Sequence, residues 1–560
     1  MKMPVHGFLY SQIGYDSGDP MRALIRSDDR DHVAESATFS VTDSDGNEVT
    51  TGPVRYWGFA WKTHWWQIDF SGVYESGEYV ITVSDAGKTL YTSDPTTIGE
   101  HVVWDASFEA VALYQLEERA RLARNGVGWK DCGAEWREAN SHATMVIGLC
   151  TALDLGFEWI DGANTERLRA QIHRGCEYLA ILQDTAARLG APDGSVVHEI
   201  PNHMVIIPGD SAQAAVAFGY AARLIADIES DRSAEYVSRA EAAMEYLLLR
   251  AEPHSGDNFS ASNHGAPAGY VVPPEFMTRD IAMMIWACLE LYAAGQTTYK
   301  GHAVRLAREL IARQITEAEK EGEFYGHFRT FPGSPFTEKA NCHHHVGHDT
   351  GTTFPHYIVP LLEMRRRWPD HPDAQTWTET IRRFAYGYFL PACSLNPFYL
   401  LPMGYFTGQG ILSFCGPWHG INTSYGFGAA LAVALEGATG DRTFREIAVG
   451  NLQWIAGLNA GITAESFGGC VKWKENVPPG VALPYSQVYG VGTRYTGNWT
   501  GIRGTIPNGF DVNPQFQLVV EPTVENDEPK LFTDEDWIPH GAGFIAGLAT
   551  LRKHKFFADS

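Results

Sequence analysis

Basic residues are scarce in this chain. Its 43 Lys and Arg stand against 67 Asp and Glu, a formal charge of −24 over 560 residues. An acidic surface of that size repels phosphate backbones and argues against a nucleic-acid partner. Long apolar runs are missing too: nothing approaches the roughly 18–20 consecutive apolar residues of a membrane-spanning helix. The eight cysteines (Cys132, Cys150, Cys176, Cys288, Cys342, Cys393, Cys415 and Cys470) show no CxxC or Cys/His zinc spacing. Buried, reduced thiols are therefore expected. The opening MKMPVHGFLYSQIGY has no basic stretch followed by an apolar one. A cytoplasmic protein is expected on that ground, or a secreted one if a leader has been removed. No Asp-x-Asp-x-Asp-Gly loop occurs, which leaves calcium without a motif, and no cofactor is expected.

What is present is material for a large core, with 44% hydrophobic and 20% charged residues. At about 100–200 residues per domain the length allows two to four domains. Aromatics reach 12% with 16 Trp, a surplus suited to stacking on the flat faces of sugar rings.

The first hundred residues read as β. Short runs at Leu24–Arg26, Ala37–Val41, Tyr56–Phe59, Trp65–Phe70, Tyr79–Val83 and Leu90–Thr92 are separated by turn clusters such as Ser44-Asp45-Gly46-Asn47. That spacing predicts a small antiparallel sandwich over 1–98, with a linker near Asp94-Pro95. From 103 to 560 the period becomes helical. Amphipathic segments fall at 104–124, 139–157, 165–185, 210–228, 232–250, 279–295, 299–319, 351–367, 373–389, 422–438, 441–457 and 537–553. Twelve helices in six successive pairs, without strands between them, predict a mainly α toroid of helical hairpins with a funnel at one end. Long aromatic-rich loops at 252–278, 321–350, 390–421 and 461–536 are read as the walls of a site.

Two segments carry crowded carboxylates. One is Gly128-Trp129-Lys130-Asp131-Cys132-Gly133-Ala134-Glu135-Trp136-Arg137-Glu138, just before the second helix. The other is Thr533-Asp534-Glu535-Asp536-Trp537-Ile538-Pro539-His540-Gly541-Ala542, before the last. Acids at helix starts serve as first-turn charges, and crowding also raises the proton affinity of at least one of them. Asn341-Cys342-His343-His344-His345-Val346-Gly347-His348-Asp349 places four histidines within six residues. Adjacent loop histidines cannot all face one ion, so sugar-hydroxyl or acid–base contacts are preferred to a metal.

These segments resemble glycoside hydrolase family 9. Ser11-Gln12-Ile13-Gly14-Tyr15 with Arg22-Ala23, and Tyr74-Glu75-Ser76-Gly77-Glu78-Tyr79, are similar to the family's N-terminal module. Pro208-Gly209-Asp210-Ser211-Ala212 resembles a barrel helix start. Trp418-His419-Gly420-Ile421-Asn422-Thr423 and Trp454-Ile455-Ala456-Gly457-Leu458-Asn459 are similar to its late-barrel patterns, and Glu535 with Ile538 and Ala542 to the stretch that carries its acid. The resemblance implies an immunoglobulin-like β-sandwich before an (α/α)6 barrel. It also implies an inverting glycosidase acting on β-linked glycans, with Glu535 as general acid. Asp131 would be the base or the water-holder. The family's second aspartate is replaced by Ala134, and Glu135, one residue later, is the expected substitute. The family's H-x-R motif has no counterpart between Ser466 and Asp511, and its late asparagine is Gly541. In an inverting enzyme the two carboxyls stand about 6.5–9.5 Å apart on opposite sides of the bond.

Substrate contacts are expected from Trp129, Arg137, His343, His344, His345, Asp349, Trp418, His419, Lys472, Tyr485 and Arg494. Tyr405, Phe406 and Trp499 are further stacking candidates, and Arg503 a further cation for an acidic sugar. The absence of an export signal and of a low-complexity linker turns the expected substrate from crystalline polymer towards oligosaccharide. Two alternatives stay open: a lyase on uronate glycans using the same barrel, and a carbohydrate-binding relative without turnover. Oligomeric state is not legible.

Overall fold

The computed structural model describes residues 4–133, 137–201, 204–251, 274–320, 322–333, 357–402, 404–406, 411–415, 422–466, 477–511, 529 and 531–557. Residues 6–99 form two facing sheets. One has the order β1 (His6–Leu9), β3 (Arg22–Ser27), β7 (Thr63–Asp69), β6 (Arg55–Ala60). The other runs β2 (Tyr15–Asp16), β10 (Thr96–Gly99), β8 (Gly77–Asp85), β4 (Thr38–Asp43), β5 (Glu48–Pro53), with β9 (Lys88–Thr92) added to β8. All six strands read from the sequence are present; β1, β2, β5 and β10 are additional. Alternation sorts the faces: in β8, Tyr79, Ile81 and Val83 turn inward to meet Phe39, Val41, Trp66 and Ile68. Strand β3 is buried on both faces. Its Ala23 and Ile25 fill the sandwich, while Leu24 joins the helical core.

The remainder is an (α/α)6 barrel. Its inner helices are α3 (Ala139–Gly156), α5 (Pro208–Ile225), α7 (Thr278–Ala293), α9 (Val359–Arg367), α12 (Asn422–Thr439) and α14 (Ile538–Lys553). Each packs on the next in this order, and α14 closes the ring against α3. The outer layer is α1 (Val102–Phe108) with α2 (Gln115–Leu122), α4 (Gly162–Arg188), α6 (Ser230–Leu249), α8 (Tyr299–Ile311), α10 (Ala374–Phe384) with α11 (Leu390–Cys393), and α13 (Thr443–Ala456). Sequence explains the layering. The inner helices are mostly buried, α14 from Ile538 to Leu551, with α9 carrying its charges in its last turns, whereas outer helices such as α4 keep one charged face. Pro208, Pro360 and Pro539 stand in first turns, where a missing N–H costs nothing. At the seam, a Cβ on Gly426 of α12 would lie 2.1 Å from the Gly543 carbonyl carbon of α14, so only glycine admits this approach.

The predicted helical segments match these elements, those expected at 104–124 and 373–389 passing through π-helical turns at Glu109–Tyr114 and Ala385–Phe389, with two shortenings among the described residues. The segment expected at 299–319 stops at Ile311, where Gln314 instead bridges Phe328, and the segment expected at 351–367 is helical over Val359–Arg367. The six described cysteines are buried, and none of them forms a disulfide. No helix among the described residues is long and apolar enough to cross a membrane.

Because short turns join each inner helix to the outer helix after it, all six inner N-termini open at one end. Buried polar groups collect there: Asn140 and Ser141, Asp210 and Gln213, Thr278 and Asp280, Asn422 and Thr423, and His540. The sandwich is fused to the barrel along the loops of α13. The N–H of Gln12 donates to the Ala456 carbonyl (2.9 Å), that of His6 to Gly480 (3.1 Å), and that of Thr493 to Gln12 (2.8 Å). Gly457 has φ +123°, and a Cβ there would meet the Gln12 backbone nitrogen at 2.8 Å, so glycine is required for the junction. Trp454, fully buried, is its hub, in ring contact with Trp61 of the sandwich, Phe398, Tyr425 and Phe510. Trp454→Ala leaves a cavity shared by both domains and is expected to cost about 3–5 kcal/mol, read as a lower denaturant midpoint with one transition.

Candidate active site

The two carboxylate segments, 404 positions apart, meet because α3 and α14 are neighbours in the ring. Arg119, in the first outer helix and completely buried, ties them together. Its Nη1 donates to the carbonyls of Lys130 (2.9 Å) and Asp131 (2.6 Å), and its Nη2 to the carbonyl of Asp536. The same Nη2 is 3.8 Å from Asp536 Oδ2. The Ile538 N–H adds a direct bond to the Asp131 carbonyl (3.2 Å).

Asp131 is 1% exposed. Its Oδ2 accepts the Glu138 N–H (3.2 Å), and its Oδ1 makes no hydrogen bond among the described residues. Burial, then the charge of Glu138, pushes its pKa well above the carboxylate range. His142 pins both ends of this loop: Nε2 accepts the Trp129 N–H (3.1 Å) and Nδ1 donates to the Glu138 carbonyl (2.9 Å). Burial holds His142 neutral, its pKa lowered to about 3.

The opposite wall is a two-stranded ribbon, β11 (Gly509–Asp511) against β12 (Leu531–Thr533). Its register, Gly509 opposite Thr533, delivers Asn508 to the acid run. Asn508 Nδ2 donates to Glu535 Oε2 (2.9 Å), and the Asn508 N–H to the Glu535 carbonyl (2.7 Å). Asn508 Oδ1 in turn accepts from His540 Nε2 (2.5 Å). His540 Nδ1 accepts the Thr423 N–H (3.0 Å), which places the ring proton on Nε2. Glu535 is thus held by a relay running back into α12 and α14. Its half-buried carboxyl has a pKa of about 7; burial raises it, the Asn508 and Cys132 hydrogen bonds oppose this, and the charges of Glu138 and Asp536 add to it. Asp534 accepts from Trp499 Nε1 (2.8 Å), and Asp536 from the Thr500 N–H (3.1 Å), so both flanking acids serve as loop anchors. Trp499, half-buried, packs on Gly133, where a Cβ would meet its ring at 2.7 Å.

Asp131, Glu535 and Trp499 are therefore brought together as the sequence reading expects. Four expected substrate contacts are not placed there. Trp129 is fully buried, stacked on His142 and donating to Gln171 (2.9 Å), because its indole fills the wall behind the Asp131 loop. Arg137 folds over the Tyr178 ring and donates to the carbonyls of Arg124 (3.0 Å) and Val127 (2.7 Å). Tyr485 is 1% exposed, with Arg494 over its ring, and Arg494 reaches Asp94 of the sandwich (3.4 Å). These two secure the domain junction. Arg503 pairs with Glu109 on the outer layer (3.6 Å). Glu135, His343, His344, His345, Asp349, Trp418, His419 and Lys472 lie outside the described residues, as do the side chains of Tyr405 and Phe406.

Sequence reasoning missed Arg119, Asn508, His540, Glu138 and the buried pair of His198 and Asp210. Only Glu138 and His540 gave a local signal, as polar residues at the start of apolar helices. A cleft of about 850 Å³ at the other end of the barrel includes Leu362, Arg366, Val433, Phe556 and Phe557. Its arginines, Arg365 and Arg366, end α9, Arg366 pairing with Glu363 (2.8 Å) and Arg365 donating to the Ala438 carbonyl (3.4 Å), an ordinary helix-end arrangement, and none of the predicted site residues lines it.

Comparison with known proteins supports the architecture. The family model of the cellulase N-terminal ig-like domain matches residues 9–88. A Bacteroides ovatus GH9 structure is 16% identical, with 98% of each chain covered and a TM-score of 0.62. A single-mutant thermostable endoglucanase from Alicyclobacillus acidocaldarius is 14% identical over 98% of this chain and 99% of its own, with a TM-score of 0.59. The GH family 9 endoglucanase J30 is 16% identical over 95% and 98%, also at 0.59. No curated protein matches the sequence. The chain is GH9-like: an ig-like sandwich followed by this family's (α/α)6 barrel.

Glu535 also links stability to pH. Its folded pKa, about 7, lies above the ordinary 4.5, so the folded form binds the proton more tightly. That contribution is complete below about 4.5 and is lost as pH rises through 7. Glu535→Gln removes the loss, and its melting temperature relative to the parent is expected to rise between pH 5 and pH 8 by thermal unfolding.

Proposed function

We propose that this protein is a glycoside hydrolase that cleaves β-linked glycans or oligosaccharides with inversion. Glu535 acts as the general acid, and the carboxylates around Asp131 activate water. The observation that carries this reading is a carboxyl able to hold a proton near neutral pH, fixed by a hydrogen-bond relay, across the α3–α14 seam from a second, buried carboxylate. A departing sugar oxygen needs a proton from one side while water is deprotonated on the other, and an inverting site separates these tasks between two acids. Trp499 supplies a half-buried aromatic face beside both. The endoglucanase names of proteins with this fold direct the first assays to β-glucans. A uronate panel read by ultraviolet absorbance tests the elimination alternative, whose product carries a new double bond.

Glu535→Gln is expected to lower kcat about 10²–10⁴-fold on oligosaccharides, while aryl glycosides with good leaving groups, needing no proton, keep most of their rate. Steady-state kinetics on both substrate types checks this; equal rates for parent and variant on oligosaccharides would refute the role. Since the acid works protonated, kcat should fall as pH rises through about 7. Asn508→Ala removes a donor that favours the charged form, so the alkaline limb should move to higher pH.

A further inference from the structure

The segment that resembles the family's water-binding motif has Ala134 where its second carboxylate stands. Glu138, at the start of α3, meets Asp131 directly, its N–H donating to Asp131 Oδ2 (3.2 Å). It occupies the N-cap position, yet its side chain makes no capping bond to the helix backbone. Its carboxylate is instead committed sideways. Oε2 accepts from Ser141 Oγ (3.2 Å), and Oε1 is 3.9 Å from His198 Nε2. Glu138 is 5% and His198 1% exposed.

The second layer is built to hold this residue. His198 Nδ1 is 2.7 Å from Asp210 Oδ2, at the start of α5. The Ala139 N–H donates to the His198 carbonyl (2.7 Å), and Glu138 bridges Glu199 through the backbone. The segment 196–200 is thus stitched to the first turn of α3. Helix capping requires none of this, and neither does packing, which an apolar residue would serve at lower cost.

We propose that Glu138 is the second carboxylate of the water-activating pair, held in position by His198 and Asp210. This deepens the hydrolase reading and rests on it. Two adjacent carboxylates share one proton, and the one beside a cation keeps its charge. Burial alone would lower the His198 pKa, but Asp210, then Glu138 and Glu199, outweigh it and hold it at about 9, so the ring is cationic. Asp131 also feels the Arg119 charge, but Arg119 binds its carbonyl rather than its carboxylate, and burial and Glu138 outweigh it. Glu138 is therefore the ionised partner, and Asp131 carries the shared proton and orients the water. In the step, the water oxygen bonds to the anomeric carbon as Glu138 takes its proton. The glycosidic C–O bond breaks as the Glu535 proton passes to the leaving oxygen. Solvent then returns both groups to their starting states, and water is the only co-reactant.

The test uses the full chain and its Glu138→Gln, Glu138→Asp and His198→Gln variants. Each is assayed on a β-glucan oligosaccharide and on a dinitrophenyl β-glycoside, with and without sodium azide. Glu138→Gln should lose about 10²-fold or more in kcat on both substrates with KM little changed, unlike Glu535→Gln, which spares the aryl glycoside. Azide, which needs no base, should restore turnover and give the α-glycosyl azide, identified by mass. His198→Gln should move the acidic limb of kcat upward, since Asp131, Glu199, Asp210 and Glu535 remain around Glu138 while the remaining cations, Arg119 and Arg137, are committed to backbone carbonyls. Glu138→Asp, which retains the charge, covers the case where the amide variant does not fold; a loss shared by both substrates and relieved by azide is again expected. A kcat within about threefold of the parent, or a loss confined to the oligosaccharide, overturns the proposal while leaving hydrolysis standing. No hydrolysis of any glycan by the parent would instead overturn the reading beneath it.

Discussion

Arg119 is the group on which the candidate site depends. A guanidinium with no access to water must have its charge and all its donors satisfied, and here the partners come from both carboxylate segments. Gln115 takes Nε (2.7 Å), the carbonyls of Lys130, Asp131 and Asp536 accept from the two Nη groups, and the Asp536 carboxylate lies 3.8 Å from Nη2. Removing such a partner leaves a buried charge uncompensated, so the two loops are held in one relation to each other. The planar fork also fixes direction, which a lysine ammonium would not.

Above that anchor, electrostatics divides otherwise similar acids into roles. Asp534 and Asp536 receive N–H donors from Trp499 and Thr500 and act as struts. Glu535, flanked by both, keeps part of its surface open, and one amide donor only partly offsets its burial, so it holds a proton near neutrality. Burial and the charge of Glu138 push the Asp131 pKa up, and His198, 3.9 Å from Glu138, favours leaving the charge on Glu138. The positive ends of the inner helices converge on this same end of the barrel, which lowers the cost of gathering so many acids there.

The sandwich belongs to this arrangement rather than being an appendage. Its β3 presents Leu24 and Arg26 to the barrel, Arg26 donating to the Ala460 carbonyl (3.0 Å), and Trp61 stacks on Phe398. The described parts of the loop following α13 are thereby tied down at Ala456, Ala460, Gly480, Thr493 and Arg494. From that loop the chain continues to Asn498, Trp499 and Asn508. A small β domain at one edge of the barrel thus stiffens the wall that carries the acid.

Periodicity in the sequence was sufficient for the architecture, because layering in this fold follows from how much of each helix is apolar. Local composition also singled out the two carboxylate segments that the fold brings together, since acids crowd at few helix starts. It failed for Trp129, Arg137, Tyr485 and Arg494: aromatic and cationic residues in loops look alike whether they face a ligand or close a domain junction. It could not find Arg119, Asn508 or His198, which have ordinary neighbours in sequence and gain meaning only from groups up to 417 positions away. Chain order determined which helices exist and which surfaces they bury. Ring closure alone decided which charges share a low-dielectric space, and there proximity, rather than residue type, sets which carboxyl keeps its proton.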